Sequence, residues 1–156
     1  MADPEPPIEE SIRVDATAAA VWAVVSDLPR MGEWSPECFW MRVWGREVRQ
    51  GAWVTGLNRR RWVVWPTNSR IHLYDAERAI GWTVLENRAR WSYHLEPDDT
   101  GTTLTERREL PQGKSWLGKA FGAAFLGGNA DHDDELRDGM RTTLDRIKRT
   151  VEVDAD

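Results

Sequence analysis

The sequence predicts an α+β fold in which a curved antiparallel sheet of about seven strands wraps on one long C-terminal helix. Three observations predict this arrangement. Two short helical patterns follow a first strand, β-rich stretches separated by short turns fill the middle of the chain, and an amphipathic helical pattern ends it. The sequence also holds ten tryptophans, whose large rings suit either a core or the wall of a pocket.

Length and charge limit the classes of function. A chain of 156 residues fits one domain, which we expect to span 1–156 with flexible ends at 1–7 and 153–156. The formal charge of −5 gives the chain as a whole no attraction for nucleic acid or for an anionic membrane. Cys38 is the only cysteine, and the first residues lack the basic and apolar parts of a signal peptide. Because no apolar run approaches ~20 residues, we expect a cytoplasmic protein without stable membrane insertion.

The N-terminal part is predicted to form one strand and two short helices. Residues 8–14 alternate between apolar and polar, which indicates a strand. Asp15 or Thr17 can cap the helix that follows, and this helix should end near Asp27. Pro29 can occupy the first turn of a second short helix.

Six further strands are predicted in succession. They cover Phe39–Val48, Ala52–Asn58, Trp65–Tyr74, Gly81–Leu85, Ala89–Glu96 and Thr102–Leu110. The separators are short, and Gly or Asp supplies turn geometry in several of them, so neighbouring strands should be antiparallel. Within the fifth stretch Trp91, Tyr93 and Leu95 share one parity, which predicts one apolar and one polar face for the sheet.

The last helix is the best-defined element of the sequence. Its apolar stripe consists of Leu136, Met140, Thr143, Leu144, Ile147 and Val151. Acidic residues stand near its start and basic residues near its end, as the helix dipole favours. Before it, residues 113–128 are predicted to form a short helix or a lid-like loop that carries Phe121 and Phe125 on its apolar side.

A strongly twisted sheet and a single helix cannot match along their full length, so bulky side chains or a ligand must fill the space between them. Strand parity and the helical stripes give the candidate lining of such a pocket: Trp34, Trp40, Trp65, Trp82, Trp91, Tyr93, Phe121, Phe125 and Met140. Each of these residues also suits plain core packing. Asn58 can present an amide to a ligand carbonyl, although a turn or strand-end role is equally consistent with its position.

Glu106 is the candidate catalytic carboxylate. It shares the parity of Leu104, and if Leu104 points inward, desolvation should raise the pKa of Glu106 towards a range useful for acid–base chemistry. The alternative is an ion pair with Arg108 or Arg70 at a strand end.

Other site chemistry is not indicated. His72, His94 and His132 are scattered, and no phosphate-binding or dinucleotide motif is visible, so we expect no metal and no cofactor. The run Arg59-Arg60-Arg61-Trp62 combines basic and aromatic residues, as single-stranded nucleic-acid sites do. Three arginines on a hairpin are usually a solvated turn, and the net charge argues against a nucleic-acid partner.

Five segments carry a family resemblance: Val14–Trp22, Ser26–Glu37, Gly51–Arg59, Trp91–Pro97 and Gly101–Glu106. In order across residues 8–152, they resemble the polyketide cyclase/dehydrase branch of the START-like (SRPBCC) superfamily. The resemblance implies a helix-grip fold, as in START and Bet v 1-like proteins, with a deep cavity between the sheet and the C-terminal helix. It also implies a ligand among lipids, polyketides or aromatic metabolites.

The leading hypothesis is a non-catalytic protein that binds a small hydrophobic molecule in this cavity. The alternative is a polyketide cyclase or dehydratase that uses the same cavity, with Glu106 as acid or base and Asn58 or Tyr93 orienting a carbonyl. A clear acid–base dyad cannot be placed on any pair of positions, which is a departure from a cyclase. A third hypothesis is a homodimer formed through the sheet or through residues 121–125.

Overall fold

The computed structural model describes residues 5–111 and 129–155. The strands are β1 (Ile8–Val14), β2 (Cys38–Val43), β3 (Trp53–Arg60), β4 (Val63–Asp75), β5 (Ala79–Val84), β6 (Arg90–Asp98) and β7 (Gly101–Glu109). The helices are α1 (Ala18–Val25), a 3-10 helix (Leu28–Glu33) and α2 (Asn129–Ala155). The predicted element at 113–128 lies outside the described residues.

The seven strands form one antiparallel sheet in the order β1-β7-β6-β5-β4-β3-β2. Strands β2 to β7 follow one another as a meander, and β1 joins the sheet beside β7. Strands β1 and β2 are therefore its two edges. The predicted fold class is confirmed, down to the short helices after the first strand.

Some boundaries differ from those predicted. Strand β2 ends at Val43 rather than Val48, because the chain turns away where Gly45 takes a φ of 102°. Strands β3 and β4 extend towards each other until only Arg61 and Trp62 join them. Arg61 has a φ of 57°, in the left-handed region that favours glycine.

Local signals position the first helix. The Thr17 side chain caps α1 by accepting a hydrogen bond from the Ala20 amide at 3.2 Å. Val21, Val24 and Val25 are buried on the inner side of this helix. Because α1 contacts β6, β7 and α2, it closes one end of the core.

Helix α2 packs mainly against β1, α1 and β7. Its predicted apolar stripe is buried along its whole length. Lys148 donates to the Arg13 carbonyl at 2.7 Å, and Arg141 bonds to the Glu10 carboxylate, so one side of the helix is tied to β1 at two levels, seven residues apart. The helix continues to Ala155, through most of the stretch predicted as a flexible end. None of the helices in the described ranges is long and apolar enough to cross a membrane.

Three aromatic rings fill much of the space between α2 and the inner face of the sheet. Trp34, Trp82 and Tyr93 all belong to the hydrophobic core. Trp82 and Tyr93 are in tilted contact, with ring centroids 6.0 Å apart. These rings therefore belong to the packed core of the described part of the chain and do not line an open space there.

Candidate functional site

A cavity of about 460 Å³ lies between the first half of α2, the sheet and the β3–β4 hairpin. Four parts of the chain line it: the loop after the 3-10 helix, the end of β3 with its hairpin, the sheet floor, and α2. The lining residues are Ser35, Pro36 and Glu37; Arg59, Arg60 and Arg61; Trp91 and Glu106; and Glu135, Leu136, Gly139, Met140 and Thr143. A volume of this size is within the usual range for small-molecule sites.

Glu106 points into this cavity from β7. Thr102, Leu104 and Glu106 alternate along the strand and are all buried, so the carboxyl lies on the inner face. Its Oε2 atom is buried and has no hydrogen-bond partner among the described residues. Neither Arg70 nor Arg108 forms an ion pair with it in that part of the chain. The arrangement leaves a carboxyl group available to a molecule in the cavity.

Burial raises the pKa of Glu106 to about 8. The carboxyl is therefore mostly protonated at neutral pH and can donate one hydrogen bond while accepting another. At a pH near 8 both protonation states are populated, which is the condition for general acid–base chemistry.

Two neighbouring groups on the inner face lack comparable reactivity. Tyr93 pairs with Glu106 across β6 and β7, and its hydroxyl donates to the Met31 sulfur at 3.8 Å. Burial, and secondly the charge of Glu106, raise the pKa of the Tyr93 phenol well above its usual value. Burial likewise raises the pKa of the Cys38 thiol to about 11, so a thiolate nucleophile is not available at neutral pH.

Charged side chains crowd the outer part of the cavity. Arg60 forms an ion pair with Glu135 and so joins the β3–β4 hairpin to the start of α2. Burial raises the pKa of Glu37, and the positive charges of Arg60 and Arg108 oppose this shift. Burial lowers the pKa of Arg108, while nearby carboxylates, first that of Asp133, oppose the change. Acidic and basic groups thus largely balance around the opening.

The cavity has one exposed end and one buried end. Arg59 and Arg61 are exposed, whereas Glu106 is 7% exposed and Met140 only 1%. The cavity therefore runs from an open, charged end at the hairpin to a buried end at Glu106 and Met140. Trp91 and Leu136 supply apolar wall between the two ends.

Only some of the predicted site residues lie at the cavity. Glu106, Trp91 and Met140 line the cavity together. Trp34, Trp82 and Tyr93 are buried in the core, Trp65 is half-buried on β4, and Trp40 is 42% exposed on β2. Asn58 donates to the Trp65 carbonyl at 3.3 Å and to the Thr67 hydroxyl at 3.1 Å, so its amide serves the sheet. Phe121 and Phe125 lie outside the described residues.

The sequence interpretation missed the charged part of the wall. Glu37, Glu135 and the arginines 59–61 were not predicted to line a cavity, and the arginines were interpreted as a solvated turn. The unusual run of three arginines was the available signal. Its approach to α2 depends on the Arg60–Glu135 ion pair, which joins positions far apart in the chain. Among the described residues, no group of three or more His, Cys, Asp or Glu side chains could hold a metal ion.

A family model described as polyketide cyclase / dehydrase and lipid transport matches residues 6–152. The chain belongs to this family. The resemblance carried by the five sequence segments is thereby confirmed. No curated protein is significantly similar to this family member.

Solved structures agree with the family assignment. A polyketide-cyclase-like protein of Corynebacterium glutamicum is 31% identical, with 96% of this chain and 93% of that chain covered and a TM-score of 0.63. The Zhui aromatase/cyclase of Streptomyces sp. R1128 is 17% identical, with 97% and 96% covered and a TM-score of 0.71. Ara h 8.0201 is 12% identical, with 95% and 98% covered and a TM-score of 0.67. The last two show a shared fold, and the fold alone does not select a function.

Proposed function

We propose that this protein binds a small hydrophobic molecule that presents a hydrogen-bond acceptor, such as a carbonyl oxygen, to Glu106. The observation that carries the proposal is the buried Glu106 carboxyl, which lies on the wall of a 460 Å³ cavity with its Oε2 unpartnered among the described residues. A buried polar group without a partner costs free energy, and a ligand acceptor would remove that cost.

The wall of the cavity indicates the chemistry of the ligand. Trp91, Leu136 and Met140 offer apolar contact along its length, and the protonated Glu106 offers one donor at its buried end. Lipids, polyketides and aromatic metabolites with a carbonyl group all meet this description. Acidic and basic side chains balance at the opening, as Arg60 and Glu135 do, so the ligand need not be charged to enter the cavity.

Two variants of Glu106 test the donor role. Glutamine keeps a donor at this position and leucine does not, so Glu106→Gln should retain ligand affinity while Glu106→Leu should lose roughly tenfold. Binding is measured by tryptophan fluorescence and thermal shift across fatty acids, polyketides and aromatic metabolites, starting from molecules that copurify in native mass spectrometry. If no member of the panel binds the wild-type chain, the proposal fails.

A cavity-filling variant tests the location. A Cβ atom at Gly139 would meet only the Pro36 side chain at 3.6 Å, so Gly139→Leu should fold and occupy part of the cavity. We expect it to weaken binding of every ligand in the panel. Asp138→Leu is the matched control, because Asp138 is exposed one position earlier on α2. Equal binding by both variants would place the ligand elsewhere.

The pKa of Glu106 also favours a second candidate function, a cyclase- or dehydratase-type reaction on a polyketide-like chain. A carboxyl with a pKa near 8 can give and take a proton at working pH. In that case Glu106→Gln should abolish turnover and leave substrate affinity nearly intact. Equal loss of turnover and affinity would identify Glu106 as a structural or binding group instead.

A further inference from the structure

The outer face of β2, β3 and β4 carries exposed aromatic rings beside arginines. Opposite residues of an antiparallel ladder share a face, so Arg42 lies beside Thr55, and Trp53 lies beside Arg70. With the hairpin tip, this surface is here termed the basic-aromatic face, and its members are Trp40, Arg42, Trp44, Trp53, Trp62 and Arg70. The four tryptophans are between 42% and 86% exposed. A surface of this kind marks an interaction site when it is continuous.

The arginines of this face stack on rings instead of pairing with carboxylates. The guanidinium carbon of Arg42 lies 4.1 Å from the centre of the Trp44 ring, and that of Arg70 lies 4.8 Å from the Trp53 ring. Neither arginine forms an ion pair with a described residue. Their charges therefore remain available to an external anion.

The charge of the chain is unevenly distributed. Residues 39–72 contain seven arginines and one glutamate, whereas the rest of the chain contains fourteen basic and twenty-five acidic residues. A protein with a net charge of −5 thus has one positive side. An anionic surface would attract this side, repel the remainder, and so fix the orientation of the molecule.

The hairpin tip carries the most exposed tryptophan of this face. Trp62 is 86% exposed and follows Arg61, whose left-handed backbone is ordinarily taken by glycine. The turn thus carries a large side chain at Arg61, where glycine would be the easier choice, and presents the Trp62 ring beside it. Arg59, Arg60 and Arg61 of the same hairpin line the open end of the cavity. A surface that touches Trp62 would lie next to that opening.

We propose that the basic-aromatic face docks the protein on an anionic lipid bilayer, with Trp62 at the level of the headgroups. Tryptophan favours the membrane interface, where its apolar body and its N–H group are both satisfied. Each arginine near an anionic membrane strengthens binding about fivefold. Single-stranded nucleic acid is disfavoured, because bases would stack on ring faces that Arg42 and Arg70 already cover on one side. The inference goes beyond ligand binding and requires no ligand.

The test is sedimentation of the full chain with vesicles. We expect binding to phosphatidylcholine vesicles that contain about one-third phosphatidylglycerol, no binding to pure phosphatidylcholine, and loss of binding at high salt. Trp62→Ser should weaken binding roughly tenfold. The double variant Arg42→Ser, Arg70→Ser should weaken it roughly twentyfold.

Matched controls come from α2, on a different side of the molecule. Val153 is 72% exposed and the Arg149 side chain is 76% exposed, so Val153→Ser and Arg149→Ser should bind vesicles as the wild type does. Thermal melting confirms that every variant is folded. Absence of binding to anionic vesicles at low salt, or an equal loss in the control variants, overturns the proposal.

Two other partners, a single-stranded nucleic acid and a second copy of the chain, predict different experimental results. Tighter binding to a single-stranded oligonucleotide than to anionic vesicles would assign the face to nucleic acid. A dimer in light scattering that Trp62→Ser dissociates would assign it to a second copy of the chain. Either result overturns membrane docking, and neither affects the ligand titrations that test the cavity.

Discussion

The outer surface of the sheet differs between its two halves. On β1 and β7 it carries hydroxyl groups and paired charges: Ser11 bonds to Thr105 at 2.7 Å, and Arg107 lies 3.2 Å from Glu9 and 2.7 Å from Glu109. On β2 and β3 it carries indole rings, and the arginine beside Trp44 stacks on that ring. Both halves belong to one sheet with one core beneath it. A surface whose charges satisfy one another needs no partner, whereas one whose arginines cover half-exposed rings is ready for an external contact.

The largest expected effect is a difference in stability between two substitutions, one at a tryptophan buried in the core and one at a tryptophan on the outer face of the sheet. Trp34 is 1% exposed and Trp53 is 45% exposed. Trp34→Ala should lower the free energy of unfolding by about 4 kcal/mol, because it leaves a large cavity in the core. Trp53→Ala should lower it by less than about 1 kcal/mol. Denaturant unfolding of the two variants measures the difference, and equal losses would show that the outer rings also support the fold.

The next largest effect is a dependence of stability on pH, which Glu106 on the inner face of the sheet should cause. The pKa of Glu106 is raised from 4.5 to about 8 on folding, so between these values the folded state keeps a proton that the unfolded state has lost. Unfolding free energy should therefore fall as pH rises through this window, by about 3 kcal/mol at pH 7. Glu106→Gln should restore that stability and flatten the slope, as measured by denaturant melts from pH 4 to 9. An unchanged slope would mean that water solvates the carboxyl.

The smallest expected effect on stability concerns strand β2. It compares a substitution on the side that meets the 3-10 helix with one on the outer side. A Cβ atom at Gly32, in the 3-10 helix, would lie 2.3 Å from the Phe39 carbonyl oxygen, so the helix and the strand are in close backbone contact. Gly32→Ala should cost about 2 kcal/mol in unfolding free energy, because the backbones must separate. Trp40→Ala, on the outer side of the same strand, should cost less than about 1 kcal/mol. The reverse ranking in thermal melts would contradict this description of β2.

The sequence predicts elements whose pattern is local. The stripe from Leu136 to Val151 and the inward parity of Leu104 and Glu106 depend on periodicity alone, and the structure places these residues as the periods require. Trp40 shows where parity fails. The ladder between β2 and β3 is irregular between Cys38 and Trp40, so residues that alternate in sequence do not alternate between the faces, and the ring turns outward.

The cavity wall was less predictable, because it joins distant segments. Trp91 and Met140 were found because aromatic and apolar residues on inward positions suit either a core or a pocket. The choice between these roles depends on how far α2 diverges from the sheet, which no single segment encodes. The charged residues at the opening of the cavity are still more difficult to predict from the sequence. The pairing of Arg60 with Glu135 requires the β3–β4 hairpin to lie close to α2, and the two residues are far apart in the chain.

The irregular register at the start of β2 has a consequence for self-assembly. Strand β2 is a sheet edge of six residues, flanked by exposed rings, and sheet edges invite pairing with other chains and growth into fibrils. A bulge bends the edge and breaks the row of backbone donors and acceptors that an incoming strand would need. We therefore expect the chain to display its tryptophans at this border in concentrated solution without polymerising through it.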